Sequence, residues 1–191
     1  MIEIIPYNPR WADEFHEIGI VLRRALADRA VRIDHIGSTA VPGLPAKDII
    51  DLQVTVAALD PLLPIQTALV AAGYRMREGI TTDHAPTGAP TSAEEWEKRL
   101  FKPVAGSHPV NLHVRVAGRA NQRYALLFRD YLRAHPPAAG SYAAVKHGLA
   151  HYHADDADAY YEIKDPVCDL IMGAAEMWAT TTNWRPGPSG A

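Results

Sequence analysis

The chain has 191 residues, 48% of them apolar and 21% charged, which suffices for one domain with its own core and no need of disulfides. Nineteen basic against 22 acidic side chains give a net charge of −3, which makes a nucleic-acid partner unexpected because such binding needs a basic surplus. The single cysteine, Cys168, the lack of a signal-peptide pattern and the lack of an apolar run of about 18 residues predict a cytoplasmic protein without a membrane segment.

The first predicted elements lead to a glycine-serine turn. They are, in order, a strand over residues 3–6, a helix from Asn8 to Arg29 and a strand over residues 31–36. Apolar residues recur every three or four positions through the helix, and Pro9 follows the N-cap residue Asn8. The strand runs directly into Gly37-Ser38-Thr39.

Two later segments alternate between apolar and polar residues, as strands with one face in a core do. They cover residues 48–56 and 109–116. Their polar positions are Asp51, Gln53 and Thr55 in the first, and Asn111, His113 and Arg115 in the second. Each predicted strand therefore has one core face and one polar face.

Between these strands lie a helix, a short strand and an irregular stretch. The helix begins at Asp60-Pro61 and ends near Gly73, and the strand covers residues 74–77. Residues 78–92 show no periodicity, and we interpret them as a mobile loop of the kind that often carries function. Lys98, Arg99 and Lys102 are interpreted as a solvated helix end, with phosphate contact as the alternative.

The chain after residue 118 is predicted to be helical. Helices cover residues 121–135, about 141–150 and 160–179, the last with a capped restart at Asp165-Pro166. Residues 180–191, rich in Gly, Pro and Ser, are predicted to form a disordered tail. These elements describe one α+β domain over residues 1–179, with the sheet in 1–118 and the C-terminal helices in 119–179.

The feature that points to chemistry is Gly37-Ser38 followed thirteen residues later by Asp51. A glycine-serine turn after a strand offers backbone amides and a hydroxyl to a phosphate. A strand carboxylate facing the same space is a ligand that Mg²⁺ takes together with phosphate oxygens. The residues suggest a nucleoside triphosphate site, and the alternative is a tight turn with a locally paired aspartate.

Several blocks resemble the GrpB family. The longest is Ile33-Asp-His-Ile-Gly-Ser-Thr-Ala-Val-Pro-Gly-Leu-Pro-Ala-Lys-Asp-Ile-Ile-Asp-Leu-Gln-Val54. The later ones are Asn111-Leu-His-Val-Arg115, Leu127-Phe-Arg-Asp-Tyr-Leu-Arg133, Tyr142 with Lys146, and Tyr161 with Lys164. The first block is also similar to the domain fused behind dephospho-CoA kinase in some actinobacteria, although this chain has no G-x-x-x-x-G-K-[ST] loop.

The GrpB family is similar to the nucleotidyltransferase superfamily, so the resemblance implies a polymerase-β-like mixed sheet with helices. The superfamily motif is Gly-Ser, then Asp-x-Asp/Glu, then a third carboxylate on a neighbouring strand. It falls on Gly37-Ser38 and Asp51, but its second acid falls on Gln53 and its third on Asn111 or His113. The carboxylate set is therefore incomplete for two-metal transfer, which needs two or three anionic oxygens.

The resemblance and the residue pattern together give the expected site. Catalytic roles fall to Asp51 and His113, and metal coordination to Asp51, Gln53 and His113. Contacts to a nucleotide or another phosphorylated small molecule fall to Gly37, Ser38, Thr39, Lys47 and Arg115. The expected ligands are an NTP and a divalent ion, Mg²⁺ or Mn²⁺, or Zn²⁺ because imidazole suits softer metals.

Two classes of function stay open from the sequence. One is nucleotidyl transfer to a small acceptor, and the other is a non-catalytic nucleotide-binding or regulatory module like the kinase-fused domain. The main competing site is a zinc site, at His147, His151, His153 and Asp155. His35 next to the turn, and the pairs Tyr142/Lys146 and Tyr161/Lys164, have either structural or ligand roles. The sequence leaves the acceptor, the base and the oligomeric state open.

Overall fold

The computed structural model describes residues 1–191 and shows a five-stranded mixed sheet with five helices. The strands are β1 (Arg32–Ile36), β2 (Ile50–Val56), β3 (Tyr74–Met76), β4 (Lys98–Pro103) and β5 (Val110–Val116), in the spatial order β1-β2-β5-β4-β3. The pair β2/β5 is parallel and the other pairs are antiparallel. The helices are α1 (Arg10–Leu26), α2 (Leu63–Ala71), α3 (Ala120–Ala134), α4 (Pro136–Tyr152) and α5 (Ala157–Thr182). The predicted α+β class with a mixed sheet is confirmed.

The molecule has two apolar cores. In the first, α1 and α2 pack on one face of the sheet, where Trp11, Leu22 and Phe101 are fully buried. The second lies among α3, α4 and α5, around Leu127 and Ala175. None of the helices has the length and apolar character needed to cross a bilayer.

The alternation in β2 and β5 separates two buried faces of the sheet. Gln53 and Thr55, on the polar face, are 0% and 1% exposed, because the C-terminal helices cover that face. The amide of Gln53 donates to the backbone oxygen of Gln122 on α3 at 3.1 Å. A polar strand face can therefore line an interior site, and does not have to face solvent.

The prediction of a solvated helix end at Lys98, Arg99 and Lys102 is wrong, because these residues form β4. This strand pairs with both β5 and β3 inside the sheet. Its side chains alternate, with Phe101 in the core and Lys98 and Lys102 towards the C-terminal helices. The sequence pattern did not indicate this strand, because charged residues in a strand usually mark a face towards solvent. Here Lys98 and Lys102 lie on an interior face instead.

Three other boundaries differ from the prediction. Residues 3–6 contribute an isolated bridge between Ile5 and Ala46 rather than a strand. Helix α4 begins at Pro136, directly after α3, and so starts earlier than predicted. Helix α5 begins at Ala157, where Asp156 caps it at the amide of Ala159, and it runs through Pro166 without a restart.

Residues 180–191 do not form the disordered tail that was predicted. They complete α5 to Thr182 and then lie along the edge strand β1. The oxygen of Ile33 accepts hydrogen bonds from the amides of Gly190 and Ala191, and the amide of Ile33 donates to Ser189 Oγ at 3.0 Å. An edge strand has unpaired backbone groups, and this segment satisfies those of Ile33.

Candidate functional site

A cavity of about 870 Å³ lies between the polar face of the sheet and helices α3, α4 and α5. Its volume falls within the range of sites for small molecules and cofactors, about 300–1,000 Å³. Seven of the sequence-predicted site residues line it: Gly37, Ser38, Thr39, Lys47, Asp51, His113 and Arg115. The structure therefore brings the glycine-serine turn and Asp51 together in one space.

Gly37 closes the turn directly against Asp51. Its φ of +69° lies in the region that favours glycine. A Cβ at this position would stand 2.9 Å from Asp51 Cβ and would overlap Asp51 Oδ2. The glycine thus allows both the turn and the approach of β2 to it.

We expect Gly37→Ala to lower the free energy of unfolding by about 2–4 kcal/mol, since the new methyl group adds overlap to an unfavourable φ. Gly43→Ala is the matched control, because Gly43 has a φ of +79° and a methyl group there would have no atom within 4 Å. Urea denaturation of both variants separates the cost of the unfavourable φ, which both share, from the cost of the overlap with Asp51, which only Gly37→Ala has. Equal losses would show that the contact with Asp51 contributes nothing.

Asp51 stands at the end of a short hydrogen-bonded chain. The register of β2 and β5 places it beside Asn111, whose Nδ2 donates to Asp51 Oδ1 at 2.6 Å. Lys102 donates in turn to Asn111 Oδ1. Burial raises the pKa of Asp51, although Asn111 and the nearby Lys47, Lys102 and Lys164 act in the opposite direction.

The cavity is strongly basic. Its charged lining consists of seven basic and three acidic side chains: Lys47, Arg77, Lys98, Lys102, Arg115, Lys146 and Lys164 against Asp51, Asp83 and Asp165. The chain has five lysines in all, and every one of them lines this cavity. A protein with net charge −3 has thus concentrated its lysines at one interior site.

Two of these lysines reach the turn region from the C-terminal half and from the loop before β2. Lys146 on α4 donates to Ser38 Oγ at 3.0 Å and to the oxygen of Pro45. Lys47 donates to the hydroxyl of Tyr161 on α5 at 2.6 Å. The ligand role considered for Lys146 from sequence thus has a direct geometric basis, since its amine lies beside Ser38.

Asp83 is a residue whose role the sequence did not indicate. It lies in the irregular stretch 78–92, yet its carboxylate accepts from Lys98, twice from Arg115 and from Asn121, at 2.6–3.1 Å. Arg115 is therefore neutralised by Asp83 rather than left free for a phosphate. Asp83 belongs to no periodic pattern in the sequence. The only sequence signal for it is indirect: Lys98 on β4 and Arg115 on β5 are basic residues that need an acidic partner when buried.

Gln53 does not fit the metal-ligand role predicted for it. Its oxygen accepts from Arg115 Nη1 at 2.7 Å and its nitrogen donates to the backbone oxygen of Gln122, so both ends of the amide are occupied, and Gln53 does not line the cavity. His113 Nε2 stands 4.0 Å from Asp51 Oδ1. Burial, followed by Arg115 and Lys98, lowers the pKa of His113 well below its ordinary value.

The donor atoms do not fit a pair of Mg²⁺ ions. Nowhere in residues 1–191 do three His, Cys, Asp or Glu side chains converge as a metal cluster, at Asp51 or at the His147/His151/His153/Asp155 stretch. The expected third carboxylate position holds Asn111, which donates to Asp51 and accepts from Lys102. The side chains around Asp51 therefore do not supply the anionic oxygens of a two-metal site.

His35 supports the turn from beneath. Its Nε2 lies 2.9 Å from Thr39 Oγ1, and its ring stacks on Phe15. Burial, with Arg133 and Arg129 nearby, lowers the pKa of His35 to about 3, so the ring is neutral. Arg129 Nη1 donates to the oxygen of His35, which ties α3 to β1. The structural role is the one this geometry supports.

The chain is similar to several known proteins over most of its length. A family model described as GrpB protein matches residues 1–174. The dephospho-CoA kinase of Mycolicibacterium paratuberculosis is 38% identical over 97% of this chain and 48% of its own length. The crystal structure of GrpB from Enterococcus faecalis superposes with a TM-score of 0.76 at 27% identity, over 92% of this chain and 99% of that one. The Cid1 poly(U) polymerase is more remote, with a TM-score of 0.49 and 16% identity over 76% of this chain and 44% of its own.

The fold and the site define an α+β protein with a lysine-lined cavity between a mixed sheet and a C-terminal helical layer. The chain belongs to the GrpB family. It spans about half the length of the dephospho-CoA kinases that it matches.

Proposed function

We propose that the cavity binds a nucleotide or another phosphorylated small molecule. The observation that carries the proposal is the convergence of all five lysines on one cavity of about 870 Å³. Lys98 is matched by Asp83 and Lys164 by Asp165. Lys47 and Lys102 have no carboxylate in an ion pair, so their charge is available to phosphate oxygens.

The cavity also has an aromatic lining that suits a flat ring. Trp96, Tyr124 and Phe128 contribute to the lining, with Tyr124 and Phe128 stacked at 6.2 Å between centroids. Aromatic walls with a few polar groups are typical of sites for nucleotides and cofactors. The proposed orientation therefore places phosphates at Ser38 and the apolar part of the ligand towards α3.

Binding without two-metal transfer is the role that the side chains support best. Asp51 is the only residue of the expected acidic set that is present, and Gln53 and Asn111 are held in other contacts. The half-length match to dephospho-CoA kinases supports a module that works beside a separate enzyme, in the cytoplasm where such ligands are made. Nucleotidyl transfer is the second candidate, and the shared position of Gly37-Ser38 and Asp51 favours it.

Isothermal titration with ATP, GTP, CTP, UTP and tripolyphosphate tests the proposal. We expect Lys47→Ala and Lys102→Ala each to weaken binding about 10- to 100-fold, the value of one or two charge-assisted hydrogen bonds. Arg24→Ala, which removes an exposed charge of α1 outside the cavity, should leave affinity unchanged. Failure of every phosphate compound to bind the wild-type protein would overturn the proposal.

Asp51→Asn separates the two candidates. If the ligand binds without a metal ion, removing this carboxylate reduces repulsion and strengthens binding. If transfer occurs, the same change abolishes both Mg²⁺-dependent or Mn²⁺-dependent binding and turnover of labelled NTP. Asp28→Asn, an exposed position outside the cavity, is the matched control.

A further inference from the structure

The contact between Lys146 and Ser38 is unusual among the lysines of the cavity. Lys146 is 3% exposed, and its Nζ contacts Ser38 Oγ at 3.0 Å, the oxygen of Pro45 and the face of the Tyr142 ring, 4.8 Å from its centroid. None of these groups is a carboxylate. The amine is thus buried beside a hydroxyl, and it forms no ion pair with a carboxylate.

Its surroundings favour the neutral amine. Burial lowers the pKa of Lys146 to about 7, and the charges of Lys164 and Lys47 act in the same direction, against Cys168 and Asp51. Burial raises the pKa of Tyr142 well above its ordinary value, so its phenol stays protonated and supplies no charge. A large fraction of Lys146 is therefore a free base at neutral pH, able to accept a proton.

We propose that Ser38 and Lys146 are a nucleophile and its general base, and that the cavity catalyses acyl transfer from an ester or thioester that carries an anionic group. A lysine amine beside a serine hydroxyl is one of the recurring ways to activate serine. Ser38 lines the cavity on a turn whose preceding residue, Gly37, has no side chain to shield it. Lys47 and Lys102 supply the positive charge that would select an anionic substrate.

The step balances without any co-reactant other than water. Ser38 Oγ forms a bond to the carbonyl carbon while its proton passes to Lys146 Nζ. The bond from that carbon to the leaving oxygen or sulfur breaks, and the Lys146 ammonium protonates the leaving group. Water then attacks the acyl carbon while its proton passes to Lys146 Nζ, the bond from that carbon to Ser38 Oγ breaks, and the Lys146 ammonium returns the proton to Ser38 Oγ as the carboxylic acid is released. This proposal stands on the Ser38–Lys146 contact and does not require that a phosphate compound bind.

Active-site labelling tests the pair. The full chain is incubated with p-nitrophenyl acetate and, separately, with a fluorophosphonate probe, and the modified residue is found by peptide mass spectrometry. We expect Ser38 to be modified and the exposed Ser107 to serve as an unreactive internal reference. Lys146→Met and Lys146→Arg should each slow modification about 10²-fold or more, the usual contribution of a general base. The modification rate of the wild type should rise with pH to a plateau with a midpoint near pH 7, and this rise should be absent in both variants.

Two results would overturn the proposal. One is an unmodified Ser38 in a folded wild-type protein, and the other is a modification rate that Lys146→Arg leaves unchanged. Lys146→Arg keeps the positive charge without a base of suitable pKa, so loss of rate there is not a loss of charge. If tripolyphosphate binds and Ser38 is not labelled, only this inference fails; if Ser38 is labelled and no phosphate compound binds, only the binding proposal fails.

Discussion

Asp83→Ala should lower the free energy of unfolding by about 3–5 kcal/mol, since it leaves two buried cations without their partner. The side chains of Asp83, Arg115 and Lys98 are 16%, 7% and 10% exposed. Arg115 donates to both oxygens of Asp83, from Nε at 2.8 Å and from Nη2 at 3.0 Å, and Lys98 donates at 2.6 Å. Such a cluster is costly to break from one side, whatever its net contribution when intact.

The same cluster makes stability dependent on acid. Burial alone would raise the pKa of Asp83, but Arg115 and Lys98 outweigh it and hold that pKa well below its usual range. Because the folded pKa is depressed, the stabilisation is present above the ordinary carboxyl pKa of about 4 and is lost as pH falls below it. Urea denaturation between pH 7 and pH 2 should show this loss in the wild type and not in Asp83→Asn. Asp28→Ala, an exposed acid, is the control. A cost for Asp83→Ala below ~1 kcal/mol would contradict the buried-cluster account.

Lys146→Met should raise stability at neutral pH, which is the opposite of the usual effect of a mutation. The folded pKa of Lys146, about 7, lies far below that of an unfolded lysine, so the unfolded chain binds the extra proton between about pH 7 and pH 10. Wild-type stability therefore rises with pH across this window, by up to ~4 kcal/mol. Methionine fills the same space without a charge, and after the lost hydrogen bonds we expect a net gain of ~1–3 kcal/mol at pH 7.

Lys164→Met provides the contrast of opposite sign within the same cavity. Burial alone would lower the pKa of Lys164, but Cys168 and the contact with Asp165 together outweigh it, so the pKa is raised. Its stabilisation is fully present below the unfolded pKa and is lost as pH rises through the folded one. Thermal and urea unfolding from pH 7 to pH 10 should show the advantage of Lys146→Met shrinking with pH. An advantage that is constant with pH would mean that Lys146 stays charged when folded.

The stability gain expected for Lys146→Met bears on function. A buried lysine without an ion pair costs stability, and proteins keep such groups where activity needs them. Lys146 is held beside Ser38 and is almost fully buried, although it lines the cavity. This cost agrees with a role for the amine in ligand binding or in proton transfer.

The site was predictable where local sequence sets the backbone. Gly37-Ser38 follows a strand, and the alternation in residues 48–56 puts Asp51 on the face opposite Leu52 and Val54. Because that alternation has a fixed period of two, the residue pattern alone defines the polar face. It does not define the partners of that face, since Lys146 lies 108 residues from Ser38 and Asp83 lies 32 residues from Arg115.

The errors share one physical cause. Charged residues on β4 suggested a surface helix, and the Gly- and Pro-rich segment 180–191 suggested disorder. Both are ordered by long-range contacts, Lys98 by Asp83 and the final segment by the unpaired edge of β1. Local composition measures the average environment of a residue type, and it fails where a distant group supplies a specific partner.

The sequence by itself determined the α+β class, the glycine-serine turn and the polar faces of β2 and β5, because dihedral preferences and side-chain period act over neighbouring residues. Only the tertiary structure decided that those faces are interior, that Gln53 is held by Arg115 and Gln122, and that all five lysines meet in one cavity. The charge state of Lys146 was also decided only by the tertiary structure. It follows from burial and from the lack of an ion pair to a carboxylate, and both arise when α4 packs across the turn at Ser38.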